Sequence, residues 1–226
     1  MMSILTPKMV SNRFDNSANV VLCSFHTDAS GTTISDQKTG RTYAPSGIAF
    51  TTPHAITENA QSTATAAVPK ISGNIIFIDV ANIANAGAVN EIRLGAISGR
   101  SLSMGQVGVL SAVDGTAGNS VAFQTLTAGQ ICTRCVTFSQ STGELRGYSR
   151  VGSSASQYDT TASNPTHVGD IEITAIVMAA SLATPRYGFV LYEMDTLPTD
   201  AVLLAALDEL YANWIAGIKV LPSGLA

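Results

Sequence analysis

The chain has 226 residues, enough for one large domain or two small ones with a sizeable buried core. Only 12% of them are charged, about half the usual share for soluble domains, and Ser and Thr supply the polarity instead. The net charge of -4 comes with no run of Lys or Arg, which argues against a nucleic-acid surface, and three cysteines cannot all pair into a disulfide framework.

Residues 1–17 show little apolar periodicity and read as an N-terminal arm. They lack the basic end and apolar run of a secretion signal, so folding in a reducing cytoplasm is expected. The arm offers Ile4, Leu5 and Phe14 for burial, and with no regular period to fit a sheet or helix these are candidate assembly residues. From residue 19 the texture changes to short β-branched and aromatic runs. They cover 19–25, 48–51, 74–80, 90–97, 106–112, 120–126, 130–138, 144–151, 170–178 and 186–193. Between them lie turn-forming clusters such as Asp114-Gly115, Gly118-Asn119 and Ser141-Thr142-Gly143. Many short strands with no alternating helices predict an antiparallel two-sheet sandwich. The small polar stretches 51–67 and 152–166 read as exposed connecting loops. The longest uncharged apolar stretch, 173–182, is too short to span a membrane.

One segment has a different period. Over 199–215, Leu203, Leu207, Leu210 and Trp214 share one helical face. Thr199 is placed to cap the first amides, and Asp200 sits where the helix dipole favours an anion. The face packs on the sandwich flank or docks a neighbouring subunit, which makes Leu207 and Trp214 the second pair of candidate assembly residues.

These residues resemble the concanavalin A-like (laminin-G-like) jelly-roll domains. Residues 21–28 are similar to that family's first strand and acidic turn, and residues 35–43, with Asp36 and Gly40, to its Asp-x-x-Gly segment before a short strand, here with one residue more between Asp and Gly. Residues 71–80 resemble its central strand, and Cys135 to Tyr148 its strand, Thr-Gly turn and strand. The ending, Tyr187 to Tyr192 followed by Leu197-Pro198-Thr199-Asp200 and a helix, resembles versions of the domain in tailed-phage structural proteins. The resemblance implies an all-β, two-sheet antiparallel jelly-roll sandwich over 18–195, with one C-terminal α-helix and tail over 196–226 packed on it. It also implies a non-enzymatic structural, decoration or attachment protein of a tailed-phage virion, made in the host cytoplasm and assembling as a homo-oligomer with other virion proteins. The alternative is a free-standing carbohydrate-binding module, with glycoside hydrolase third.

The candidate chemistry follows from those classes. Family hydrolases carry Glu-x-Asp-x-x-Glu on one strand; here only Asp170 and Glu172 share a face, with Val168 and Ala175 where further carboxylates would stand. Cys132-Thr133-Arg134-Cys135 has redox spacing, with Arg134 placed to lower a thiol pKa. It lies in a strand, though, where residues three apart point to opposite faces, so the thiols read as structural. His26, His54 and His167 are isolated beside turns, with no nucleophile elbow. No cofactor is expected; calcium is the one ion the resemblance implies, with Asp28, Asp36, Asp114 and Asp159 as loop carboxylates. A shallow glycan site at the sandwich rim draws on Tyr158, Asn164 and His167, the aromatic face stacking on a sugar from a host surface and the polar groups reaching its hydroxyls. Neither nucleic acid nor membrane is an expected partner.

Overall fold

The computed structural model describes residues 18–25, 34–36, 38, 42–46, 50–51, 55–56, 60–64, 70–82, 90–95, 101–104, 109–113, 119–124, 127, 129–163, 171–172, 175–180, 186–216, 218 and 220–225. Its first strands are β1 (Val20–Phe25), β2 (Ile34–Ser35), β3 (Thr42–Ser46), β4 (Phe50–Thr51), β5 (Ala55–Ile56) and β6 (Ala60–Ala64). There follow β7 (Lys70–Ile71), β8 (Asn74–Asn82), β9 (Asn90–Gly95), β10 (Ser101–Met104), β11 (Val109–Val113) and β12 (Asn119–Ala122). The last are β13 (Ile131–Phe138), β14 (Glu144–Val151), β15 (Gln157–Ser163), β16 (Ile171–Glu172), β17 (Ala175–Ala180) and β18 (Arg186–Met194), then helix α1 (Asp200–Ile215). One sheet runs β15-β14-β13-β8-β18-β5-β4, with β1 also on β18; the second runs β12-β11-β10-β9-β17-β6-β3-β2; β16 and β7 form a separate ribbon. Neighbouring strands pair antiparallel, as in β13 with β14 and β8 with β18. The fold is the all-β sandwich with one C-terminal helix that the strand pattern predicts.

The first sheet carries two layers of core. Residues 75 to 81 of β8 are all buried, so both faces of the strand are covered. On one face Ile76, Ile78, Val80, Cys135, Val190 and Tyr192 pack against Leu203, Ala206, Leu207 and Leu210 of α1. On the other, the strand registers set Leu22, Leu191, Phe77, Val136 and Gly147 in one row. Phe77 and Phe189 meet edge to face there, ring centroids 6.2 Å apart. Val121 of β12 lies over this row: a Cβ added at Gly147 would sit 3.1 Å from its side chain. Phe77 and Ile78 therefore belong to two different layers. Both residues are core, because the helix covers the face that an ordinary sandwich strand gives to water.

Local chemistry explains the junctions. The β13–β14 hairpin closes at Gly143 with φ 66°, a conformation that costs glycine nothing, and Gly143 N–H donates to the Ser139 carbonyl at 2.9 Å. Thr199 takes the extended conformation of an N-cap but makes no side-chain cap bond. Its carbonyl instead accepts from the N–H groups of Val202 and Leu203. After α1 the chain folds back: Glu209 accepts hydrogen bonds from Ser223, and Leu221 and Leu225 enter the same core as Leu207. Among the described residues no helix is long and apolar enough to cross a membrane.

Candidate functional site

β14 alternates strictly. Leu145, Gly147, Ser149 and Val151 are buried, whereas Glu144, Arg146 and Arg150 are partly open. Tyr148, on their face, lies beneath the helix in the core. β15 pairs with it so that Thr161 stands opposite Arg146 and Tyr158 opposite Tyr148. The two tyrosine rings meet edge to face with centroids 5.5 Å apart, and Tyr158 stays 41% exposed. The start of α1 completes the patch. Tyr148 Oη donates to Asp200 Oδ1 at 2.9 Å, and Arg146 Nη1 donates to the same oxygen at 3.1 Å. Arg146 Nε donates to Glu144 Oε1 at 2.6 Å. Burial, reinforced by the bond to Asp200, pushes the Tyr148 phenol well above its ordinary pKa. The hydrogen bond to Glu144 holds Arg146 charged. Asp200 Oδ2 and Glu144 Oε2 accept nothing from the other described residues.

The platform is held on both sides. Toward the helix, Asp208 takes Arg150 and the Ser156 N–H, Ser156 Oγ donates to the Leu204 carbonyl at 2.9 Å, and Arg150 lies 4.2 Å over the Tyr211 ring. Toward the sandwich interior, a bulge between Gly147 and Tyr148 lets Asp159, next to Tyr158, turn the other way. Its carboxylate accepts from Ser149 Oγ at 2.6 Å, Gln157 Nε2 at 2.8 Å and the Gln124 N–H at 3.1 Å. Burial raises the Asp159 pKa, and these three donors partly counter it. The exposed ring therefore sits on a strand fixed from behind.

Several sequence expectations change here. Tyr158 lies on a paired edge strand, not in a rim loop; Asn164 and His167 lie outside the described residues, so the platform is built from Tyr148, Arg146, Glu144 and Asp200 instead. Asp159 is a strand residue with both oxygens engaged, and buried Asp36 accepts the N–H groups of Cys23 and Lys38, each at 3.0 Å. Asp28 and Asp114 lie outside the described residues, among which no group of three or more His, Cys, Asp or Glu can hold a metal. Arg134 pairs with Asp79, and burial pushes the Cys135 thiol up rather than down. Cys132 packs with Ala81 and Val151, whereas Cys135 lies on the helix side. Glu172 stands opposite Lys70 in the ribbon, while Asp170 and the three histidines are outside the described residues. Leu207 is fully buried within its own chain, which removes it from any surface for assembly, and Trp214 packs half-buried against the same core. Ile4, Leu5 and Phe14 again lie outside the described residues.

The sequence matches no protein-family model, and a search of curated proteins finds no match. Solved structures do resemble the fold. A Trypanosoma rangeli sialidase superposes with a TM-score of 0.51 at 12% identity, over 79% of this chain and 31% of the sialidase. The chain thus spans about a third of that enzyme's length. Arcelin-5, a lectin-like defense protein from Phaseolus vulgaris, gives 0.46 at 8% identity over 76% and 95%. A SAP-like pentraxin from Limulus polyphemus gives 0.44 at 11% over 70% and 77%. What the likeness shows is the fold class alone, a β-sandwich. That class carries no activity with it at these identities.

Proposed function

We propose that this chain is a non-enzymatic saccharide-binding module whose site is the β14–β15 edge beside the start of α1. One observation carries the reading: an exposed tyrosine ring, Tyr158, meets edge to face a second tyrosine whose hydroxyl bonds the half-exposed carboxylate of Asp200. A sugar ring presents an apolar face to stack and hydroxyls that donate, and this patch answers both. Tyr158→Ala should weaken binding to glycans on an array, and in titration calorimetry, by roughly tenfold. Absence of binding to every glycan offered, or binding indifferent to Tyr158, would sink the reading.

A second reading, a structural or attachment component of a tailed-phage virion assembling through protein contacts, is supported by the resemblance of the C-terminal ending and by Ile215 at the end of α1. That side chain is 57% exposed, with Ile218 close behind it in the chain and also open. Ile215→Glu should then lower the oligomer fraction in sedimentation runs without shifting the melting temperature; a wild-type chain that sediments only as a monomer would count against it. The two readings meet in a particle protein that touches a host glycan.

A further inference from the structure

The chemistry of the patch goes further than saccharides in general, to a choice among them that rests on the proposed saccharide-binding role. Glu144 and Asp200 outnumber Arg146, so this group carries one net negative charge along the β14–β15 face that presents Tyr158. Arg146 spends Nε on Glu144 and Nη1 on Asp200, which breaks up the two-pronged fork a guanidinium offers to a carboxylate or sulfate. Besides the remaining N–H groups of Arg146 and the Tyr158 hydroxyl, the open groups are acceptors. Asp200 is 46% exposed and Glu144 34%, each with its second oxygen facing no donor among the described residues. An acceptor-rich, net negative rim takes hydroxyl donors and repels anions.

We propose that the Tyr158 patch selects neutral saccharides, with Asp200 Oδ2 and Glu144 Oε2 accepting sugar hydroxyls, and rejects uronic, sialic and sulfated sugars. Hydroxyls held by ionised acceptors make stronger hydrogen bonds than neutral pairs. A sugar carboxylate along the same face would instead meet like charge and no open fork. Selection therefore arises from the two carboxylates, while Tyr158 supplies affinity to both kinds of sugar.

The test uses the full chain against matched oligosaccharides: galactan with galacturonate, mannan with mannuronate, and glucan with glucuronate, each pair of equal length. The neutral member of at least one pair should bind about tenfold or more tightly than its uronate. Glu144→Gln and Asp200→Asn, which keep the acceptors of the Arg146 and Tyr148 bonds, should weaken the neutral sugar and narrow the ratio. A merely structural role for either carboxylate would lower both members together and leave the ratio unchanged, against the proposal. Equal or tighter binding of the uronate, abolished by Tyr158→Ala, would overturn the selection while leaving saccharide binding intact. Failure of every member to bind would overturn both.

Discussion

Replacing Arg134 by alanine should cost about 3–5 kcal/mol of folding free energy. The guanidinium is 1% exposed and its partner Asp79 2%, both on the face of the first sheet that looks into the sandwich. The β8–β13 register sets them directly opposite each other, between the apolar pairs Phe77–Val136 and Ala81–Cys132. Arg134 Nε donates to Asp79 Oδ1 at 2.9 Å and Nη2 donates to Oδ2, while the ring of Phe123 lies 5.8 Å from the guanidinium carbon. Burial is the largest influence and acts against the arginine's charge, but the Asp79 carboxylate, its hydrogen bond and Cys132 together hold the pKa above its ordinary value. Removing the cation leaves a carboxylate deep in an apolar layer without the charge that balances it. Removing both charges does not: Arg134→Met with Asp79→Leu should recover most of the loss, because a packed apolar pair needs no desolvation. Urea denaturation followed by circular dichroism measures both. A single variant as stable as the wild type would show that the pair is not buried.

That pair also marks the boundary of what sequence can show. The apolar runs 74–80, 130–138, 144–151 and 186–193 correspond to β8, β13, β14 and β18, because dense β-branched and aromatic residues leave few other options. Strands made of small polar residues left no such trace. Ala60–Ala64 and Gln157–Ser163 lie in stretches that read as loops, since an edge or solvated strand needs no apolar alternation. The run 170–178 proves to be two pieces, Ile171–Glu172 in the ribbon and Ala175–Ala180 in the second sheet. The candidate site was legible in one residue, Tyr158. Its neighbours arrive by register and helix docking, Tyr148 and Asp200 being 52 residues apart; the buried pair Arg134 and Asp79, outside the site, is 55 apart. No local pattern encodes such distances. The one signal present was the Glu144, Arg146, Tyr148 alternation, which puts polar tips on one face of a strand with a buried other face.

The helix gives the sharpest separation of folding from assembly. Leu207→Asp should destabilise the isolated chain by more than about 4 kcal/mol. Leu207 is wholly buried and belongs to one core with Ile76, Ile78, Val80, Cys135 and Val190 of the sheet and Leu221 and Leu225 of the returning tail. The Thr133 hydroxyl of β13 reaches the Leu207 carbonyl at 3.5 Å, so the backbone there is pressed onto the sheet as well. An aspartate at this site loses the apolar burial of leucine and puts a charge into an apolar core. The helix cannot relieve this by rotating, because Leu203, Ala206 and Leu210 hold the same face and Arg150 ties Asp208 to β14. It has to detach, taking the tail with it. Detachment would uncover the second core layer of β8, so the loss should appear as one cooperative transition at lower temperature in circular dichroism and calorimetry. Wild-type melting with weakened self-association would place Leu207 on an intermolecular surface and contradict the packing of α1. A lowered melting point that does not vary with protein concentration would place it inside the folding unit, where the geometry puts it.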